Sequence, residues 1–231
     1  MIQVNQLSKI YNGTTVLNIN NLEIPKGQSF GLVGNNGAGK TTFFSLLLDL
    51  IQPSTGSIKN NDIQVNVNEN WKSFTGSFLD ESFLIGYLTP EEYFYFIGDL
   101  RHQNKADIDA LLVQHEEFFN GEILNNKKYL RDLSKGNQKK VGIIATLIGN
   151  PEVIILDEPF ANLDPTTVSR LKKIIKELAE NPNVTVLVSS HDLQHTVEVC
   201  DRIVALNKGE VVKDIQTSAE TLQELELFFA V

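Results

Sequence analysis

Cysteine is almost absent: the 231 residues hold one, Cys200. A single thiol can form neither an internal disulfide nor a thiolate metal cluster, which fits a reducing compartment and leaves oxygen ligands for any metal chemistry. Long apolar runs are missing too. The longest, VGIIATLIG at residues 141–149 and VIIL at residues 153–156, fall well short of the roughly 20 residues that a spanning helix needs. The chain is therefore not expected to cross a bilayer by itself. Its opening, MIQVNQLSKIYNG, lacks a basic segment followed by an apolar core and a small-residue cleavage site, so a cytosolic protein is expected. Basic charge is scarce: 20 Lys and Arg stand against 29 Asp and Glu, a net charge of −9. That sign is wrong for a general nucleic-acid binder. No nucleic-acid partner is expected, and any phosphate has to be held locally. What is present is a globular composition, 42% hydrophobic and 21% charged, in a length that suits one domain or a core with an added lobe.

No stretch reads as a linker, a repeat or a low-complexity tract, so the segments sort by periodicity and punctuation. Apolar and polar residues alternate from Ile2 and again over residues 16–24 before Pro25-Lys26-Gly27, which predicts antiparallel edge strands. A short apolar strand, Ser29–Val33, runs into GNNGAGKTT, and FFSLLLDLI follows with helical spacing until Pro53. A hairpin over residues 56–67 and a strand over residues 74–79 come next. From Pro90 to Ile148 only helical patterns appear, an inserted lobe broken by GEILNNKK. Strands then alternate with helices again: strands over residues 153–156, 184–188 and 202–206, helices over 165–179 and 192–199. Such alternation predicts a parallel sheet. The expected division is a core of residues 1–89 and 149–212, a helical lobe of 90–148 and a tail of 213–231, whose end is expected to dock on the chain's own surface.

Three segments carry chemistry. Residues 34–41, GNNGAGKT, match G-x-x-x-x-G-K-[ST] between an apolar strand and a helix, the context in which backbone N–H groups surround phosphate oxygens. Lys40 is expected to reach the β- and γ-phosphates, and the Thr41 hydroxyl to ligate magnesium. VIILDEP at residues 153–159 ends a strand in two carboxylates, where open α/β sheets place their ligands. Asp157 suits the magnesium shell through water, and Glu158 suits the base that acts on the attacking water. Alone, the pair also fits a solvated acidic turn. In LSKGNQKK, residues 133–140, Ser134 is a candidate N-cap, and with the N–H of Gly136 it forms a second anion site. One nucleotide scarcely needs two helix ends plus Lys40 from one chain, so a composite site is expected.

With these motifs in order, the whole chain resembles the nucleotide-binding subunit of an ATP-binding-cassette (ABC) transporter. GNNGAGKTT resembles the family's Walker A, LSKGNQ its signature, VIILDE its Walker B, Ala161 to Asp164 its D-loop, and His191 in VSSHDL its switch histidine. Tyr11 matches the aromatic that stacks on adenine, the alternative being a surface aromatic on an early strand or loop. The resemblance implies a P-loop NTPase fold: a RecA-like mixed-sheet core, an N-terminal antiparallel β subdomain and an inserted α-helical signature subdomain. It also implies ATP hydrolysis with magnesium in a homodimer that holds two ATP molecules head to tail. Each would be gripped by Gly34, Asn35, Asn36, Gly37, Ala38, Gly39, Lys40, Thr41 and Thr42 of one subunit and by Ser134 and Gly136 of the other. His191 would contact the γ-phosphate. A separate transmembrane permease, expected to be an exporter, would hold the cassette on the cytoplasmic face of the membrane. The alternatives are a soluble cassette working on ribosomes, DNA or cofactor assembly, or a weakly hydrolysing regulatory cassette.

The sequence departs from the family in two places. Asp80 in SFLDE stands where the family's Q-loop has glutamine, and as a carboxylate it is a candidate magnesium ligand; a one-residue shift would put Glu81 there. In the signature, Lys135 and Asn137 replace glycine and glutamine, and Lys135 reads as one of a solvated trio with Lys139 and Lys140. The rings of Phe83, Tyr87 and Tyr93 to Phe96 either form a docking groove or pack the lobe. His102, His115 and His195 lack metal-ligand spacing and read as surface residues.

Overall fold

The alternation in the first two dozen residues folds as a hairpin. In the computed structural model, which describes residues 1–229, β1 (Ile2–Tyr11) and β2 (Thr14–Ile24) pair antiparallel. Asn12 and Gly13 turn the chain at φ of +50° and +79°, the backbone that a two-residue hairpin loop requires and that Asn-Gly accepts. Of these two strands, β2 alone lies at an edge. β4 (Thr55–Asn60) takes the other side of β1, and β5 (Ile63–Gln64) follows it, giving the order β2-β1-β4-β5. The expectation of two edge strands fails for β1 because the hairpin of residues 56–67 returns to it.

β3 (Ser29–Val33) leads into the second sheet, whose order is β10-β9-β3-β8-β7-β6. Its other members are β6 (Thr75–Phe78), β7 (Val153–Asp157), β8 (Thr185–Ser190), β9 (Arg202–Asn207) and β10 (Glu210–Gln216). All neighbours run parallel except β9 and β10. The continuous apolar runs now have a cause. Side chains alternate across a strand, so Val153 and Ile155 of β7 enter one core with Phe30, Phe43 and Phe44, whereas Ile154 and Leu156 enter a second with Phe94 and Ile144. A strand covered on both faces has no polar side to show.

α1 (Lys40–Leu47) stops well before Pro53, because Asp49 at φ +53° turns the chain away and its carboxylate accepts a 2.6 Å bond from Gln52. The lobe contains α2 (Pro90–Leu100), α3 (Lys105–Gln114), α4 (Glu116–Phe119) and α5 (Lys135–Ala145). Capping boxes start the first two, Thr89 with Glu92 and Asn104 with Asp107, each satisfying two otherwise orphaned N–H groups. The aromatic run divides: Tyr93 and Phe94 are buried, Phe94 against Phe119 at 5.8 Å, whereas Phe83, Tyr87 and Phe96 are exposed. α6 (Pro165–Ala179) and α7 (Leu193–Val199) begin at Asp164 and Asp192, as their caps require. β10 runs through residue 213, and α8 (Thr221–Phe229) packs on α7 with Leu225 buried. Ala230 and Val231, the end of the expected docking tail, lie outside the described residues.

Cys200 is buried at the end of α7, and that burial pushes its thiol far above the range of a free cysteine. Thiolate is the reactive form. The folded protein is therefore expected to resist iodoacetamide at pH 8 and to take up one label after unfolding in guanidinium. Labelling of the native chain at the rate of a free thiol, read by mass spectrometry, would contradict the packing of this helix end.

Candidate active site

β3 ends at Val33, and the glycine loop carries the chain to Lys40, the first residue of α1. Gly34 admits no side chain, because a Cβ there would lie 2.4 Å from the carbonyl oxygen of Leu206. Gly39 starts the helix at φ +108°, a conformation that favours glycine. No side chain caps α1, so the N–H groups of its first turn remain for an outside acceptor. The loop borders a cavity of about 330 Å³ lined by Tyr11, Val16, Asn36, Gly37, Ala38, Gly39, Lys40, Thr41, Thr42 and Glu158. Lys40 is buried, and its ammonium donates to the carbonyl oxygen of Gly34 at 2.8 Å.

The two carboxylates at the end of β7 meet different partners. Asp157 is buried and accepts from Thr41 Oγ1 at 2.7 Å on one oxygen and from Ser189 Oγ on the other. Burial pushes its carboxyl above the usual range, against the pull of those two bonds. Glu158 follows at φ +46°, where the chain leaves the sheet. Its Oε1 lies 3.2 Å from Lys40 Nζ, and its Oε2 lies 2.8 Å from Nδ1 of the half-exposed His191. Lysine and glutamate thus form an ion pair beside the cavity, with the His191 ring hydrogen-bonded to the same carboxylate. Thr41 and Asp157 offer a hydroxyl and a carboxylate, the donor set of an oxygen-seeking cation. No group of three or more His, Cys, Asp or Glu that could hold a metal occurs among the described residues. A cation here needs ligand oxygens from phosphate or water as well, and the residues fit magnesium on those terms.

Asp80 lies elsewhere. It caps a 3-10 turn, Glu81–Phe83, by accepting the Ser82 N–H at 2.8 Å, and hydrogen bonding to Ser82 holds its carboxyl below the usual range. It does not line the cavity. Glu81 points instead to Lys139, 3.7 Å away. Ser134 caps α5, its Oγ accepting the Asn137 N–H at 3.2 Å, and a Cβ on Gly136 would sit 3.1 Å from Asn162 O. Neither residue lines the cavity of the glycine loop. Tyr11, about half exposed, does.

Several expectations need correction. Lys139 and Lys140 are buried, not solvated: α5 is enclosed on every side from Gln138 to Ala145, so Lys140 pairs with Glu122 at 3.1 Å and Lys139 donates to the Glu158 carbonyl just past the end of β7. Lys135 is exposed as expected. His115 is buried as well, and desolvation lowers its pKa. Ser189 was not foreseen as a site residue. Its hydroxyl bonds Asp157 and accepts the Glu158 N–H at 3.1 Å, a juxtaposition of β7 with β8 that no local pattern announces.

A strand, glycine loop and helix with a carboxylate pair at the neighbouring strand end define a P-loop ATPase. The family model for ABC transporters matches residues 17–161, and the chain belongs to this family as an ATP-binding cassette ATPase. It is 35% identical over 212 residues to the ABC transporter ATP-binding protein YhaQ of Bacillus subtilis, covering 92% of this chain and 70% of that one. Against the bacitracin transport ATP-binding protein BcrA of Enterococcus faecalis, identity is 31% over 224 residues, covering 94% and 70%. Among solved structures, a dimeric ATP-binding cassette in a post-hydrolysis state with ADP and Pi superposes with a TM-score of 0.83 at 23% identity, over 95% of this chain and 100% of that one. The ATP-binding subunit of an ABC transporter gives 0.82 at 25% identity, over 100% and 93%.

Proposed function

We propose that two copies of this chain close head to tail around two ATP molecules, hydrolyse them with magnesium, and thereby drive a separate permease. The observation that carries the reading is that Ser134 and Gly136, an anion-binding helix start, stay outside the cavity that holds Lys40 in their own chain. A second chain is needed to bring the two together. ATP enters against the amides of the glycine loop, with Tyr11 against its base. Its γ-phosphate draws Lys40 and His191 away from Glu158, which frees that carboxylate to take a proton from water attacking phosphorus. As water's oxygen bonds the γ-phosphorus, the bond from that phosphorus to the oxygen it shares with the β-phosphate breaks; ADP and phosphate leave, and the bridge between the chains is lost, so chemistry becomes opening. Thr41 and, through water, Asp157 are the residues that would hold magnesium, which would supply charge neutralisation at the β- and γ-phosphates. Asp80 is the proposed further member of that shell, although it caps the Glu81–Phe83 turn and does not line the cavity.

No described helix is long and apolar enough to cross a membrane, so the translocation path is assigned to a separate permease, with export as the proposed direction and the cytoplasmic face as the cassette's place. A cavity of about 350 Å³ beside β6 and α2, lined by Trp71, Phe83, Tyr93, Ile97 and Leu100 among others, is the proposed seat for an apolar helix of that permease. BcrA is named for bacitracin transport, which favours the transport reading over a ribosomal or DNA role.

Mixing two disabled variants tests the shared site. K40A breaks one half of it and G136D the other, and neither chain hydrolyses ATP alone. Mixed, they are expected to regain on the order of a quarter of parental turnover, because half of random two-fold pairs keep one intact site. A mixture as inactive as its components would defeat the head-to-tail arrangement.

A further inference from the structure

Lys139 is 4% exposed, as buried as Lys40 and Lys140. Burying an ammonium is costly unless its protons are satisfied, so its partners are informative. Its Nζ donates to the main-chain carbonyl of Glu158 at 2.8 Å and lies 3.7 Å from Oε1 of Glu81, whose side chain is itself only 10% exposed. Burial lowers the ammonium's pKa, and the neighbouring carboxylates offset only part of that. On the other side of the same residue, the Glu158 N–H donates to Ser189 O at 3.1 Å. Glu158 is held at φ +46°, a conformation that a residue with a Cβ keeps only when its surroundings fix it. β8 holds the nitrogen end of the residue and α5 the oxygen end.

We propose that Lys139 is a positioning residue for hydrolysis: by gripping the Glu158 carbonyl from α5, with Glu81 steadying the ammonium, it aims the Glu158 carboxylate at the attacking water. The inference rests on the reading of Glu158 as the base. It assigns a role to a buried cation that joins α5 to the Glu158 end of β7. A misplacement of about 1 Å at a reacting group costs about a hundredfold in rate, so a carbonyl tether matters to chemistry while leaving the phosphate cradle intact.

The test is a double-mutant cycle of K139M and E158Q, read by single-turnover ATP hydrolysis and by equilibrium ATP binding on the purified protein. K139M is expected to lower the hydrolysis rate at least about tenfold while ATP affinity stays within about twofold. It is expected to add nothing in the E158Q background, and K139R, which keeps the donor and the charge, should recover part of the rate. Parental hydrolysis by K139M, an equal loss in both backgrounds, or a loss matched by weaker ATP binding would overturn the assignment. Parental hydrolysis by E158Q alone would instead remove the reading of Glu158 as base, a failure visible in the same cycle. Should K139M misfold by circular dichroism, K139A takes its place with the same expected outcomes.

Discussion

Glutamine at position 158 is expected to slow ATP hydrolysis by about 10²–10⁴-fold, the span that a positioned general base contributes. The change is nearly isosteric and removes proton acceptance while keeping an oxygen for His191, now 2.8 Å from the carboxylate. Binding should survive. Glu158 lies 3.2 Å from Lys40, and a neutral amide in its place holds that lysine less strongly, so ATP affinity is expected to hold or improve. With chemistry blocked and binding intact, ATP and magnesium should accumulate a closed dimer, seen by light scattering as a doubled mass that ADP does not produce. Turnover equal to that of the parent would dismiss Glu158 as the base. A slow enzyme that stays monomeric with ATP would leave the base in place and remove the two-chain site.

What the sequence disclosed follows from how far apart the cooperating residues lie along the chain. The glycine loop is contiguous, and its flanking strand and helix each have their own periodicity, so Lys40 and Thr41 were legible at once. The same holds for Asp157 and Glu158 at the end of an apolar strand. Ser189 and Lys139 were invisible because their importance arises from contacts across 32 and 19 positions. The burial of Lys139 and Lys140 contradicts their appearance: a helix enclosed on every side carries no amphipathic stripe, and its lysines look like surface. β10 is a half-exposed edge strand with no fully buried residue, so periodicity gave little sign of it, although Lys208 and Gly209 at φ of +48° and +83° supply the hairpin turn. The uncertainty between Asp80 and Glu81 was one of register. The fold separates them physically, one capping a turn and the other facing Lys139.

Alanine at position 40 acts on binding, not on the base. The Lys40 ammonium is 6% exposed and placed by the carbonyl of Gly34, so its charge is already inside the cavity when nucleotide arrives. Hydrogen bonds to charged groups contribute about 1.5–3 kcal/mol, and losing that from the phosphate contacts should weaken ATP by about 10- to 150-fold. The loss has a second part. Without Lys40, Glu158 and Asp157 face a triphosphate with no lysine between them, and this repulsion is greatest at the γ-phosphate. ATP affinity should therefore fall more than ADP affinity in calorimetric titrations, and raising the salt concentration should narrow the gap as screening grows. The fold should be nearly indifferent, since truncation removes the buried cation together with its need for partners, and melting in the absence of nucleotide serves as the control. An unchanged ATP affinity would mean that the phosphates are not held at this loop. An equal loss for ATP and ADP would place Lys40 at the β-phosphate alone and leave the γ-phosphate to His191 and the opposing signature helix.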